Sequence, residues 1–430
     1  MDPSRRRLRW DLGLGREIGL TFWGMVLLEG AFGSYMGVWP LWIERLGAPI
    51  TVVGFVLGSS GVIRLLFLVP SAALADRFNI RNLIVVARCG AFIGLLGASV
   101  AQHWTQLALM VVGSAIGELA FPLIQTHVAA NAAGNRIRAF SLVFTVGPSL
   151  ALALSPLVAG ALIALWGLRA AFLLAAAFTA CSILCFARLK PSVRETSVDS
   201  PKPASTYSGA IADPAVRRIL ILQGSTVFIL ALGTSLIPTF LEDVRGMSAS
   251  RIATLGALAA VGSTAFGIIV ARATRLQAAP FYGIAIAVTA TCIGFAIFLS
   301  TSLLPLIGLA FILRGGLFSA WAMCSAAIGV AASVRHRARS FALGEMVAGT
   351  SFSIAPMMAG WLFSIENYLP LMFATIGGLA LVPVLILAQR AAFSRPQGDV
   401  DSRSPASDAL PARCPPAAAL RWRGLLRSGR

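Results

Sequence analysis

Charged residues are scarce in this sequence. Of 430 residues, 12% are charged and 57% are hydrophobic, and the mean hydropathy is +0.82. Soluble domains carry about a quarter charged residues, which keep their surfaces hydrated. The scarcity argues against a soluble globular protein of this length and predicts an outer surface that faces lipid.

Acidic residues are scarcer than basic ones, and the sequence lacks the motifs of several kinds of binding and catalytic site. The net charge is +18, but the positive charge is dispersed in short segments between apolar runs, so no nucleic-acid partner is predicted. Six cysteines are present without a CxxC pair, so neither a zinc site nor a disulfide framework is indicated. No phosphate-binding glycine loop, metal cluster or catalytic triad stands out. We therefore expect no cofactor, no metal and no enzymatic activity.

Long apolar runs make up most of the sequence. A helix needs roughly 20 apolar residues to cross the hydrocarbon core of a bilayer. The Arg-rich start leads directly into such a run, so the first span is expected to serve as its own insertion signal. The sequence predicts twelve spans, at 17–41, 51–75, 82–101, 106–129, 139–165, 170–188, 215–241, 250–271, 280–299, 303–331, 340–363 and 368–389.

Arginine is distributed unequally between the two sides of the predicted membrane. Arginines precede span one, follow spans two, four, eight and ten, and recur between spans six and seven. The opposite side has only Arg45, Arg169, Arg245 and Arg251. This asymmetry follows the positive-inside rule. It predicts a multi-pass protein of the inner or plasma membrane with both termini in the cytoplasm.

Composition divides the chain into five parts. A cytoplasmic N-terminus (1–16) precedes a six-helix bundle (17–188), which we call the N-terminal half. A polar linker rich in Pro and Ser (189–213) leads to a second bundle (214–390), the C-terminal half. The tail (391–430), rich in Pro and Arg, is expected to be disordered.

The C-terminal half repeats the N-terminal half. Four segments match in order at nearly constant offsets of 198 to 200 residues, which is not expected of chance similarity between apolar runs. Such a repeat predicts two bundles that rock about a site near mid-membrane. The matching segments are 40–44 with 238–242, 57–58 with 255–256, Arg77 with Arg275, and 155–160 with 355–360.

The segment after span two carries a known pattern. Residues 72–81 read AALADRFNIR and resemble the G-x-L-A-D-R-x-G-R-K/R loop of the major facilitator superfamily. Asp76, Arg77 and Arg81 match the motif. Ala72, Asn79 and Ile80 depart from it. The resemblance implies a gating role for these residues, in which the Asp76 carboxylate meets the positive N-terminal end of span eleven near Ser340; a tight polar turn is the alternative.

Span five carries the second resemblance. Residues 151–160 look like the g-x-x-x-G-P-x-x-G-G signature of the superfamily's antiporters, with Pro156 and Gly160 in place. Pro356 and Gly360 occupy the equivalent positions of span eleven. Small residues permit close helix packing and Pro bends a span. The resemblance implies the twelve-helix fold, a cavity lined by spans one, four, seven and ten, and antiport.

Ionisable residues inside spans are costly and are functional candidates. We place Glu29, Arg64, Glu118 and Arg314 near mid-span as a charge network on a substrate or proton pathway. Static ion pairs that fix helix packing are the alternative. The predicted pathway also includes Trp321, whose ring can either stack on a substrate or fill a packing gap. A fifth charged residue, Glu345, lies nearer a span end and is assigned a structural role.

These observations predict a secondary transporter of a small organic molecule, powered by a gradient because the loops are too short for an ATPase domain. Proton-coupled efflux by a monomer is the leading hypothesis. A proton symporter that imports a sugar, carboxylate or other metabolite is the first alternative, and two mid-span arginines suit an anion. A non-transporting membrane sensor or scaffold is the other alternative, but the tails offer no signalling domain.

Overall fold

The computed structural model describes residues 10–11, 13–132, 136–190, 207–273, 276, 279–333 and 336–393, apart from the side chains of 64, 67–77, 136–137, 271, 338 and 392–393. All regular secondary structure in these residues is helical, which confirms the all-α prediction. Ten helical stretches among them are long and apolar enough to cross a membrane. Predicted spans one and two are not among the ten, so the count of twelve stays a prediction.

The N-terminal half is built from nine helices in the described residues. A 3-10 turn (Trp104–Leu107) precedes α5, and a π-helical turn (Leu142–Val146) joins α7 to α8. The helices are α1 (Arg16–Met36), α2 (Trp39–Arg45), α3 (Ile50–Arg77), α4 (Ile80–Val100), α5 (Ala108–Glu118), α6 (Ala120–Asn131), α7 (Arg136–Ser141), α8 (Gly147–Trp166) and α9 (Arg169–Ala187).

The linker region contributes a short helix, α10 (Tyr207–Ala212), and the C-terminal half then follows the order of the first half. The α2 and α12 helices are related by an offset of 198 residues at both ends, and α4 and α14 by an offset of 200. The helices are α11 (Pro214–Thr234), α12 (Ile237–Asp243), α13 (Ala249–Arg272), α14 (Pro280–Ser300), α15 (Leu304–Arg314), α16 (Gly316–Ala331), α17 (Arg337–Ile365) and α18 (Leu369–Phe393).

Several predicted spans are interrupted rather than continuous. Predicted spans one and seven each end early and continue as a short helix whose first turn contains a proline, Pro40 in α2 and Pro238 in α12. Proline lacks a backbone N–H and is tolerated at the start of a helix. The long predicted span 303–331 was expected to be tilted; it is divided at Gly315, and predicted span four is divided at Leu119.

The two halves pack closely along two helix pairs, α3 with α17 and α8 with α13. Glycine makes this approach possible. A Cβ on Gly360 of α17 would lie 3.0 Å from the Gly54 Cα of α3, which is too close for a side chain. At the other pair, the Ser250 hydroxyl donates a hydrogen bond to the Gly160 carbonyl over 2.7 Å. The described residues up to Arg390 accordingly form one compact unit.

The ends of α2 and α12 also meet across the halves. Arg45 of α2 donates to Glu242 of α12 over 2.6 Å, the guanidinium side chain being 61% exposed and the carboxylate side chain 21% exposed. Under the predicted orientation this end of the bundle faces away from the cytoplasm. The contact joins the halves at the end that the sequence predicts to be the outer one.

Candidate functional site

A buried arginine that the sequence analysis left out is at the centre of the site. Arg88 lies in α4, inside predicted span three, and is 6% exposed. Its guanidinium interacts electrostatically with Glu29 and Glu118. It also donates weakly to the Thr179 hydroxyl of α9 at 3.5 Å. An arginine within an apolar run was the signal that could have revealed it.

Local sequence makes room for this arginine. Gly117 precedes Glu118 in α5, and a Cβ on Gly117 would lie 3.5 Å from Arg88 Nη1 and 2.6 Å from the Ala91 side chain. A larger residue at 117 would therefore press α5 away from α4. The Arg88 Nε is buried without a hydrogen-bond partner among the described residues, so its position depends on charge attraction more than on directed hydrogen bonds.

Glu29 approaches the arginine from α1. Glu29 is partly buried and interacts with both Arg88 and Glu118. Tyr35, two turns further along α1, packs its ring 5.7 Å from the Phe172 ring of α9. The structure therefore places two of the predicted pathway residues, Glu29 and Glu118, within electrostatic range of a cation from a third helix. We call Glu29, Arg88 and Glu118 the carboxylate–arginine cluster.

The cluster has an odd charge balance. Two ionised carboxylates and one guanidinium leave one net negative charge, and charge in a low-dielectric interior is costly unless it is paired. A single proton on either Glu29 or Glu118 would make the cluster neutral. Glu118, at the end of α5, is the more exposed of the two glutamates. The arrangement is chemically suited to bind and release one proton.

Arg314, another predicted pathway residue, lies apart from this cluster. It ends α15, where predicted span ten is divided, at the position equivalent to Glu118 in the repeat. Its guanidinium carbon lies 5.3 Å from the Phe311 ring centroid. Its electrostatic environment includes no carboxylate from the described residues. Because the side chain of Arg64 lies outside the described residues, the predicted network of four mid-span charges stays a prediction.

The remaining predicted residues fall in three places. Trp321 of α16 packs edge-on against Phe352 of α17 at 5.7 Å. Glu345 is exposed in the third turn of α17. Arg64 and the gating residues Asp76 and Arg77 have side chains outside the described residues.

The described part of the gating loop is the start of α4. Asn79, where the family motif has glycine, accepts a hydrogen bond from the Arg81 backbone N–H over 3.0 Å and so caps the helix. Asparagine is among the favoured N-cap residues. The departure from the motif therefore has a local structural reason, while the gating role stays a prediction.

Three of the four residues of the predicted packing motif, Gly160, Pro356 and Gly360, lie at contacts between the halves. Pro156 and Gly160 are buried in α8, and Gly160 contacts α13. Pro356 is within α17, and its carbonyl faces Gly54. A substituent at Gly160 or Gly360 would meet backbone atoms of the other half, so these positions decide how closely the halves approach.

A surface cavity of about 490 Å³ lies far from these charges. It is lined by residues at the α12 end of the C-terminal half, including Phe240, Arg245 and Tyr368. Arg245 is already occupied, because it donates to the carbonyls of Phe298 and Leu299. The cavity therefore lacks a free charged group from this arginine, and we do not assign the transport site to it.

Comparison with known proteins settles the family. The sequence model of the Major Facilitator Superfamily matches residues 21–315. The chain belongs to the major facilitator superfamily. As a member of this transporter family it is a multi-pass membrane protein that acts on a small molecule, and it is not an enzyme.

Solved transporter structures share the fold of this superfamily member. The nucleoside transporter NupG, in the form of a point mutant, matches with a TM-score of 0.74 at 16% identity over 88% of this chain and 100% of that chain. A bacterial homologue of the human lysosomal transporter Spinster, in an inward-facing and occupied conformation, has a TM-score of 0.67 at 19% identity and covers 87% and 95%. The human organic anion transporter MFSD10 has a TM-score of 0.60 at 14% identity and covers 87% and 98%. Comparison with curated sequences returned no match.

Proposed function

We propose that this superfamily member exports a small organic molecule in exchange for protons. The observation that supports the proposal is the carboxylate–arginine cluster, in which two glutamates lie within electrostatic range of one buried arginine. A mid-membrane cluster that is one charge short of neutrality takes up one proton when that proton is available. Its position on α1, α4 and α5 couples the proton to the packing of the N-terminal half.

Coupling follows from competition for the arginine. With both glutamates ionised, Arg88 is shared between α1 and α5. Uptake of one proton by the cluster leaves Arg88 with one ionised carboxylate and so changes the attraction between α4 and the end of α5. Because α5 meets α6 at a break next to Glu118, a change there alters the bend of span four. Such a change biases the rocking of the two halves.

The test uses proteoliposomes with a trapped pH-sensitive dye and an imposed pH gradient. A panel of small organic anions, cations and neutral compounds is added, and a transported compound is recognised by the proton movement it causes. Glu29→Gln and Glu118→Gln are expected to abolish that movement. Glu366→Gln is the matched control, because Glu366 is exposed at the end of α17. Retention of wild-type coupling by both cluster variants would overturn the proposal.

Direction separates the leading proposal from proton symport. Cells that express an exporter accumulate less of the compound, and a protonophore raises the accumulation. Cells that express a proton symporter accumulate more, and the protonophore lowers it. The sign of the protonophore effect therefore distinguishes export from import for the same compound.

A further inference from the structure

The C-terminal half has a mid-span cation with an incomplete environment. Arg314 is partly buried at the end of α15. Its contact within the described residues is with the face of the Phe311 ring, and none of the hydrogen bonds or ion pairs among those residues includes its guanidinium. An arginine at the centre of a span is costly to insert, so a residue of this kind is expected to face a cavity and to serve a function.

The described carboxylates of the N-terminal half do not supply the missing anion. Glu29 and Glu118 interact with Arg88 and with each other, and Arg314 does not contribute to the electrostatic environment of Glu29. Arg314 and Glu118 occupy equivalent positions of the repeat with opposite charge. The two halves therefore differ in chemistry at the same depth, with carboxylates in one half and a guanidinium in the other.

Aromatic residues flank Arg314 along predicted span ten. Phe311 precedes it, and Trp321 follows it by seven residues, beyond the division at Gly315. Its ring packs against Phe352, and its indole N–H is buried without an acceptor among the described residues. Guanidinium and indole N–H groups are donors only. The surroundings therefore offer positive charge, hydrogen-bond donors and aromatic faces.

We propose that the cargo is a small organic anion with an apolar body, whose carboxylate or sulfonate binds Arg314 and whose body extends along the aromatic side chains towards Trp321. This inference rests on the proposed transport function. The guanidinium fork matches the two oxygens of a carboxylate and forms paired hydrogen bonds with it. An organic cation would be repelled by Arg314, and a neutral amide would leave the charge unpaired.

The experiment measures ligand-dependent thermal unfolding of the full chain in detergent, without any pH gradient. The probes are three compounds of one shape, 3-phenylpropionate, 3-phenylpropionamide and 3-phenylpropylamine, together with carboxylates from acetate to 4-phenylbutyrate. We expect a carboxylate of this series to bind at least tenfold more tightly than its amide and amine. Arg314→Gln should remove that preference and Arg314→Lys should reduce it. Arg251→Gln, at an exposed arginine of α13, should keep it.

Three results would overturn the inference: no stabilisation by any carboxylate, equal stabilisation by the amide or amine, or an unchanged carboxylate preference in Arg314→Gln. Arg314→Gln removes a costly buried charge and should fold; if it does not, Arg314→Lys carries the test, because lysine keeps the charge but lacks the fork. The assay is independent of proton coupling. Carboxylate binding without coupled proton movement contradicts the proposed function alone, and coupled transport of a cation contradicts this inference alone.

Discussion

The contact between α2 and α12 is predicted to respond to pH through Glu44. The repeat relates Glu44 to Glu242 and Arg45 to Asp243, by the offset of 198 residues. The equivalent of the Arg45–Glu242 ion pair is therefore Glu44 with Asp243, which is a pair of acids. The pKa of Glu44 is raised to about 7, first by burial and then by the charges of Asp243 and Glu242, against the opposing effects of Arg45 and of the Thr239 hydroxyl.

The size of the effect follows from this pKa. The change from 4.5 to about 7, at 1.36 kcal/mol for each pKa unit, sets an upper limit of about 3.4 kcal/mol. Glu44 is partly exposed, so solvent screening reduces the expected value to about 1–2 kcal/mol. The closed contact binds the extra proton, so it is favoured at low pH. It weakens as the pH rises from about 4.5 to 7 and changes little above that.

The perturbation is Glu44→Gln, which removes the titrating group and keeps the shape. Fluorophores at cysteines introduced at Gln102 and Ser302, in a variant without native cysteines, report the separation of the outer ends by single-molecule energy transfer. Both positions are exposed between equivalent helices of the two halves. The open-to-closed ratio of the parent should rise about 5- to 30-fold between pH 5 and 8.

In Glu44→Gln the same ratio should change little with pH and should favour the closed contact at pH 8. Glu366→Gln, at another exposed acid of a helix end, is the control and should keep the parent's response. A pH response in Glu44→Gln equal to the parent's would refute the assignment to Glu44. A parent that shows no response between pH 5 and 8 would refute the argument from the acid pair.

Three further predictions use the same protein. Arg45→Ala should weaken the closed contact by less than about 1 kcal/mol, because its ion pair with Glu242 is largely exposed; a larger change in the energy-transfer ratio contradicts this. Gly360→Leu should prevent the close approach of Gly54 and shift the same ratio towards open, whereas an unchanged ratio contradicts it. Arg88→Ala should lower the free energy of unfolding by about 1–3 kcal/mol, since the partly buried Glu29 loses its opposite charge; addition of Glu29→Gln should recover part of the loss, and denaturant unfolding that shows no recovery contradicts the pairing.

Much of the fold follows from local sequence. Runs of about 20 apolar residues define membrane helices because the bilayer has a fixed thickness and each backbone polar group must be satisfied within the span. The repeat was readable because Pro40 and Pro238 recur at the same offset, and both begin a short helix in the structure. The divisions at Leu119 and Gly315 were missed, since an apolar run does not reveal a bend.

The candidate site depended on tertiary structure. The sequence alone determined that Glu29, Glu118 and Arg314 lie inside spans, because charge in an apolar run is visible without a fold. It did not determine their partners. Arg88 lies within electrostatic range of Glu29 and Glu118 because α4 packs against α5 and against α9, and α9 in turn packs against α1. Arg314 in the other half has no such carboxylate neighbour among the described residues. Residues far from Arg88 along the chain become its charge partners only through helix packing, which is why the pairing, unlike the spans, was decided by the three-dimensional structure.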